Sequence, residues 1–361
     1  MEKLRARFRS INRDTRRDMF NYLLVIVVFV IMQLAVSGDL VSNSMQGQLV
    51  PICAYITMAL SLNLTVGILG ELSLGHGAFM SAGAFVGVLF TTLTQESIPS
   101  DGLRMLLAFV VGAVVAGLLG VIIGIPVLRL RGDYLAIVTL GFGEIVKNLL
   151  NVLYVGVDKD GLHATISSNG IVLGEGGQVI ISGAMGISGR RISTFTMGFV
   201  LVLVALIIIQ NLVRSRAGRA IMSIRDNRIA AEAMGINVTK YKLLAFTISA
   251  AIAGMAGVLY GHNYSSLQAS KFDYNMSIQV LLFVVLGGMG SMRGSIIAAT
   301  VLTILPEMLR GLKDYRMLFY AIVLIVVMIF NQSPQVAQWR AGLMEKMPHF
   351  GKKAGAKKEG N

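Results

Sequence analysis

The sequence predicts an all-α, polytopic membrane protein with about ten transmembrane helices, and three observations carry that reading. First, 55% of its 361 residues are hydrophobic and only 14% are charged, whereas soluble domains carry about 25% charged residues. A soluble chain of this length has too little polar surface to cover so much apolar material, so lipid is its natural solvent. Second, glycine is high at 40 residues, and glycine lets membrane helices approach backbone to backbone. Third, mostly apolar runs of the roughly 17–25 residues that span a bilayer recur along the chain.

Taken in order, a basic extension of residues 1–19 leads into a first run at 20–36. Further runs lie at 48–66, 72–94, 104–127, 134–155, 192–212, 243–261, 276–290, 294–309 and 316–331, and a basic tail fills 332–361. The domain reading is one membrane domain, 20–331, between two basic ends. The first run has a weak small-x-small site at Ala35-Val36-Ser37, but its apolar stretch exceeds an ordinary signal-peptide core, so it is expected to be retained as a span. The eighth and ninth runs are short, with Gly287, Gly288, Gly290 and Gly294 around their junction. They are expected to be tilted, broken or re-entrant. Gly83 and Gly87, then Ala116, Gly120 and Gly124, then Ala253, Gly257 and Gly261 repeat small residues every four positions, the spacing of tight helix packing.

Orientation follows from charge. With the N-terminus inside, the inner segments hold 23 basic residues and the outer segments 8, while acidic residues divide almost evenly. Cytoplasmic loops carry the Lys and Arg excess, so both termini are expected in the cytoplasm of a bacterial inner membrane. Arg310, Lys313 and Arg316 sit awkwardly on the outside. The net charge of +13 lies at segment ends, which suits lipid headgroups and excludes a nucleic-acid face. The longest inner loop is 213–242. The longest outer loop, about 156–191, contains Gly170, Gly174, Gly176, Gly177 and Ser182 and reads as a lid or docking surface. No segment outside the membrane is long enough to be an enzyme domain. Cys53 is the single cysteine and the four histidines are scattered, so no metal site is expected.

Polar residues inside the runs are conspicuous. Glu144, Lys147, Asn148 and Asn151 recur at helical spacing, with Gly141 one turn earlier, so they share one face. An ionisable group at mid-bilayer costs roughly 2.5–3.5 kcal/mol. The stripe is either a pore-lining or gating face, or a Glu144–Lys147 pair that tightens packing. Ser73, His76 and Gly77 share another face, as a substrate path or as a packed histidine. Glu71 is expected at a helix start near the cytoplasmic interface. In the inner loop, Ile229 to Met234 has helical spacing, Asp226 or Asn227 can cap its start and Gly235 can end it. That helix would present small residues with Met234 and Ile236 to a protein groove, or lie on anionic lipid.

Four stretches carry a family resemblance: ELSLGHGAFMSAGAF at 71–85, RGDYLAIVTLGFGEIVKNLL at 131–150, IRDNRIAAEAMGINVTKYKLLAF at 224–246 and VLGGMGSMRGSIIAA at 285–299. Together they span most of 50–330, and the chain resembles the LivM-type permease subunit of branched-chain amino acid ABC importers. The resemblance implies a type II importer permease fold and alternating-access import of Leu, Ile or Val. It implies four kinds of partner: a LivH-like sister permease, two LivG- and LivF-like ATPases, and a periplasmic binding protein. It also implies that the 226–236 helix couples to an ATPase, through Arg225, Asp226, Asn227, Ala230, Ala231, Glu232 and Gly235. The expected substrate path is Ser73, His76, Gly77, Gly141, Glu144, Lys147 and Asn148. The glycine-rich stretches at 174–189 and 287–295 lack the lysine of a phosphate-binding loop. No cofactor is therefore expected on this chain, and ATP and Mg belong to partner ATPases; the chain is a transport subunit rather than an enzyme. Two other classes stay open: an ion-coupled transporter using Glu144, Lys147 and His76, and a passive channel or scaffold.

Overall fold

A computed structural model of the protein describes residues 13–38, 42–130, 132–158, 161–166, 177–309, 311 and 315–332. The extension up to residue 12 and the tail from 333 lie outside the described residues. So do Arg131, Lys159, Gly170, Gly174, Gly176, Arg310 and Lys313. The chain divides into a unit ending at Glu307 and a second unit from Met308.

Side-chain caps set where six helices of the first unit start. After α1, Arg13–Ser37, Ser42 accepts from Met45 N and opens α2, Asn43–Asn63. A π-helical turn, Leu64–Leu69, continues α2 and ends at Gly70 in the left-handed region, φ 81°. Non-helical chain follows to α3, His76–Leu93. Next come α4, Asp101–Val127, and α5, Asp133–Val152. Thr194 caps α6, Phe195–Arg214, and Ser215 caps α7, Arg216–Asp226. Asn227 caps α8, Arg228–Ala233, and Asn237 caps α9, Val238–Gly261. Asp273 caps α10, Tyr274–Gly287, and α11 runs Met292–Met308. In each cap a side-chain oxygen satisfies an amide that the first turn leaves without a partner. The second unit contains α12, Arg316–Gln332, a 17-residue apolar helix.

Among the described residues, six helices are long and apolar enough to cross a membrane: Asn43–Leu69, His76–Leu93, Asp101–Val127, Tyr134–Val152, Phe195–Arg214 and Val238–Gly261. The other four expected runs coincide with α1, α10, α11 and α12. The last three have 14, 17 and 17 residues, short of the ~20 that match a hydrocarbon core. The first contributes a shorter apolar stretch, Val25–Ser37.

The core is α2 and α9 with α3 and α4 packed around them. From Leu49 to Leu69 every residue but Tyr55 is buried. The small-residue repeats explain how α3, α4 and α9 close on one another. A methyl group at Gly83 would lie 2.1 Å from the Gly254 carbonyl oxygen, and one at Gly257 only 1.9 Å from that of Met80. Side chains there would hold the backbones apart and forfeit the dispersion contacts that bind helices in lipid.

The all-α expectation is corrected at one end of the bundle. A five-stranded antiparallel sheet, order β2-β1-β3-β4-β5, is formed by β1 Tyr154–Asp158, β2 Gly161–Thr165, β3 Gln178–Ser182, β4 Ile187–Ser188 and β5 Ser266–Leu267. Tyr, Val and Ile in Tyr154–Val157 and Val179–Ile181 suit a pleated surface. Ile187 pairs with Leu267 and Ser188 with Ser266, so the loops before α6 and after α9 lie at the same end. Because α6 and α9 each run the length of the bundle, α7 and α8 lie at the opposite end.

Candidate functional site

His76 opens α3 deep inside the protein and is 0% exposed. Its Nδ1 lies 3.2 Å from Ser73 Oγ and its Nε2 2.8 Å from Ser249 Oγ on α9. Ser249 Oγ donates to Ser61 O at 2.7 Å and accepts from Thr65 Oγ1 at 2.9 Å, while Ser61 Oγ donates to Ser249 O at 2.6 Å. A hydroxyl has one proton. Ser249 spends it on Ser61 O, so His76 Nε2 must carry the ring proton and Nδ1 must accept from Ser73. The rings of Phe79 and Phe246 stand edge-on to the imidazole, with centroids 5.8 and 6.5 Å away. The result is a sealed polar latch between α2, α3 and α9.

The chain reaches His76 without helix. Glu71 was expected at the start of a helix, but α3 begins at His76, and Glu71 instead ion-pairs with the buried Lys242 of α9. Ser73 likewise precedes the helix rather than sharing a helical face. Lys242 and Ser249 are seven residues apart, or about 10 Å along α9, so residues 71–76 descend that distance into the bundle. Irregular backbone at such depth must find partners inside the protein. Here Leu74 N donates to Thr139 Oγ1 at 3.0 Å and Gly77 N to Ser277 Oγ at 3.1 Å.

The stripe on α5 is placed differently. Gly141, Glu144, Lys147 and Asn151 are half-buried and Asn148 is exposed, beside a buried face that includes Thr139, Val146 and Leu150. Glu144 and Lys147 form an ion pair. A methyl group at Gly141 would meet nothing within 4 Å. The two candidate clusters therefore do not share a surface: His76 is sealed, and the α5 stripe is open on the flank of the chain.

At the other candidate site, α7 and α8 form a compact knuckle. Asn227 Oδ1 accepts from Ala230 N at 3.0 Å and starts α8. Gly235, at φ 78°, ends it, with Gly235 N on Glu232 O and Ile236 N on Ala231 O, the paired bonds of a glycine-terminated helix. Arg228 pairs with Glu232 at 2.9 Å. Ala231 was expected on the docking face but is 4% exposed and packs with Ile224 and Val238. Ile236 and Tyr241 lie against that same small core. The residues presented outward are Ile229 and Met234, 80% and 81% exposed. Ala230 and Glu232 are exposed beside them. Arg225, next to Asp226, turns inward: its Nη1 donates to Gly67 O at 3.0 Å.

The family of branched-chain amino acid transport system permease components matches residues 44–329, well over half of the chain. The chain belongs to that family. It is 37% identical over 305 residues to the branched-chain amino acid permease protein LivM of Salmonella typhimurium, covering 81% of this chain and 70% of that one. It is 27% identical over 251 residues to BraD of Pseudomonas aeruginosa, covering 69% and 79%. It is 22% identical over 284 residues to LivH of the same Salmonella strain, covering 76% and 89%. No solved structure matches. The chain is thus a multi-pass membrane permease subunit, related to two different permeases of one organism.

Several groups in this permease's site were not singled out by sequence. Ser61, Thr65 and Ser249 are ordinary hydroxyls in apolar runs. Asn63, whose Oδ1 accepts from Gly290 N at 2.8 Å and whose Nδ2 donates to Ser295 Oγ at 2.9 Å, carried the only usable signal: a carboxamide in a span needs partners.

Proposed function

We propose that this chain is one of two pore-forming permeases of an ATP-driven importer of Leu, Ile and Val in a bacterial inner membrane. The branched-chain substrates follow the names of the relatives. Residues 20–331 form the permease domain between the 1–19 extension and the 332–361 tail, with both termini and α7–α8 in the cytoplasm, as the basic-residue excess requires. The sheet end then faces the periplasm and receives ligand from a binding protein. ATP and Mg are used by two ATPase subunits. The observation that carries this reading is the α7–α8 knuckle: a capped, rigid element that presents Ile229 and Met234 bare. Two large apolar side chains on a fixed helix suit the groove of a partner protein. ATP-driven closure of the ATPases would move the knuckle and switch the pore between outward- and inward-open states.

The α5 stripe supports a sister permease. A half-open Glu144–Lys147 pair with Asn148 and Asn151 at membrane depth has to face protein or water rather than lipid. The stripe suits the wall of a pathway formed with the second permease, with Gly141 leaving room beside it. His76, Ser73 and Gly77 hold that wall in place from behind. The ion-coupled alternative loses support from His76, whose ring nitrogens are both engaged inside the protein.

The test is affinity purification of the tagged chain in mild detergent. A related permease and two ATPases are expected to co-purify, and Ile229→Asp with Met234→Asp is expected to lose the ATPases while keeping the permease. Recovery of wild-type chain alone, under conditions that preserve other importers, would move the reading to ion-coupled transport.

A further inference from the structure

The geometry points to the π-helical turn Leu64–Leu69 as the element that receives the motion of the knuckle, with Arg225 as the positioning residue that delivers it. This step rests on the docking of α8 proposed above. Three connections converge on the turn. The Arg225 guanidinium donates to Gly67 O at 3.0 Å and, through Nε and Nη2, holds Asp226 Oδ1 at 3.1 and 2.9 Å. The same arginine's stem lies against Gly70, where a methyl group would sit 2.6 Å from its Cγ. Lys242, one turn inside α9, grips Glu71 just beyond. Arg225 therefore ties the knuckle to the turn at Gly67 and Gly70, and Lys242 ties α9 to the chain leaving it.

The turn is itself tied onward. Gly67 has no side chain because Asn63 crosses it: a methyl group there would lie 2.0 Å from Asn63 Oδ1 and 2.2 Å from Gly290 N. Through that crossing Asn63 holds Gly290, at φ 81°, in the bend between α10 and α11, and Ser295 on α11. In the other direction, residues 70–75 run from the turn to the His76 latch. A π-turn within an α-helix has one residue too many per turn for regular bonding and is a recurrent place for functional adjustment. Its two ends here differ in fixity. Thr65 is bonded to the latch, while Gly70 is exposed and left-handed. A pull by Arg225 on Gly67 and Gly70 would therefore shift or convert the turn about the fixed Thr65. It would carry the α10–α11 bend and the non-helical 70–75 segment with it. In this arrangement Arg225 does not touch the ATPase. It converts displacement of the knuckle into rearrangement of backbone beside the pathway.

The experiment uses the assembled complex in nanodiscs, with hydrogen exchange measured nucleotide-free and after trapping with ATP and vanadate. In the wild type, amide protection in 64–76 is expected to change on trapping. In Arg225→Gln, a change at a side chain that is 40% exposed and points at Gly67 rather than outward, both ATPases and the sister permease should still be captured. The exchange difference in 64–76 should vanish, and substrate uptake by the same complex in sealed proteoliposomes should fall tenfold or more. Ser295→Ala, which touches neither knuckle nor ATPase, should lower uptake several-fold with full capture. Wild-type uptake in both variants would overturn the proposal. So would loss of ATPase capture in Arg225→Gln, because Arg225 would then be a docking contact. A wild-type chain that captures no ATPase would overturn the docking of α8 and this step with it.

Discussion

A charged or hydrogen-bonding side chain in lipid is visible from its chemistry, but its partner is not. Glu144 and Lys147 stood out because an ion pair interrupts an apolar run, and the structure leaves that pair on an open flank. Replacing Glu144 with Gln keeps shape and hydrogen bonding and removes one charge. Uptake is expected to fall about tenfold, roughly 1.4 kcal/mol of barrier, with ATPase capture unchanged; uptake at the wild-type rate would make the stripe a packing device. His76 is the contrasting case. Its residue type suggested a proton path; Ser73 is a local partner, but the other, Ser249, lies far along the sequence and gave no local signal. Removing the ring in His76→Ala leaves Ser249 bonded to Ser61 and Thr65 but strands the Ser73 hydroxyl in a sealed space. A stranded buried group costs about 1–3 kcal/mol. A clear drop in melting temperature is expected at every pH, whereas a proton-relay role would show as a changed pH profile of uptake in a protein of normal stability.

The same distinction between local and distant chemistry governs the elements. The short helix α8 was legible end to end, because Asn227 and Gly235 act within four residues of themselves. Its neighbour α7 was read as loop, although Ser215 followed by Ile221 and Ile224 at a three-residue spacing was a usable helix signal. The far edge of the sheet was missed because Ile187 has to find Leu267; the local pairing of Tyr154–Asp158 with Gly161–Thr165 was read as the end of a span and part of a loop. The start of α3 was placed too early because nothing local marks where a buried chain stops being extended; Thr139 and Ser277 decide it from other helices. The legible terminator gives the sharper test. A non-glycine residue at Gly235, held at φ 78°, costs roughly 1–2 kcal/mol. Gly235→Ala should therefore weaken coupling mildly. Gly235→Arg, which adds bulk and charge beside Met234 in open space, should hydrolyse ATP without importing substrate while remaining inserted. Normal uptake in Gly235→Arg would remove α8 from the docking surface.

On the scale of the whole molecule, burial is lopsided. The packing of α9 on α3 and α4 is closed to the point that glycines at 83, 254 and 257 touch backbone, while α5 has only one covered face. Much of the open surface is apolar, including Ile137, Ile145 and Leu149 of α5 itself, and lipid satisfies it. The polar flank of α5 is different, since neither lipid nor the described residues of this chain supply partners for Asn148, exposed next to Glu144 and Lys147. Membrane burial of that flank requires another polypeptide or a water-filled space bounded by one. The presence of LivM- and LivH-named relatives in a single organism favours a related but distinct permease over a second copy of this chain. The arrangement can be trapped. Cys53 is the only cysteine and is buried against α6, so Cys53→Ala gives a cysteine-free background at small cost. Asn148→Cys in that background should form a crosslink with a cysteine placed at the matching position of the co-expressed sister permease. The yield should change when ATP and vanadate trap the complex, because a pathway wall must separate and close during each cycle. A crosslink whose yield ignores nucleotide would make α5 a fixed seam. A crosslink between two copies of this chain, with the sister left unmodified, would make the pore a homodimer and shift the pathway to that two-fold axis.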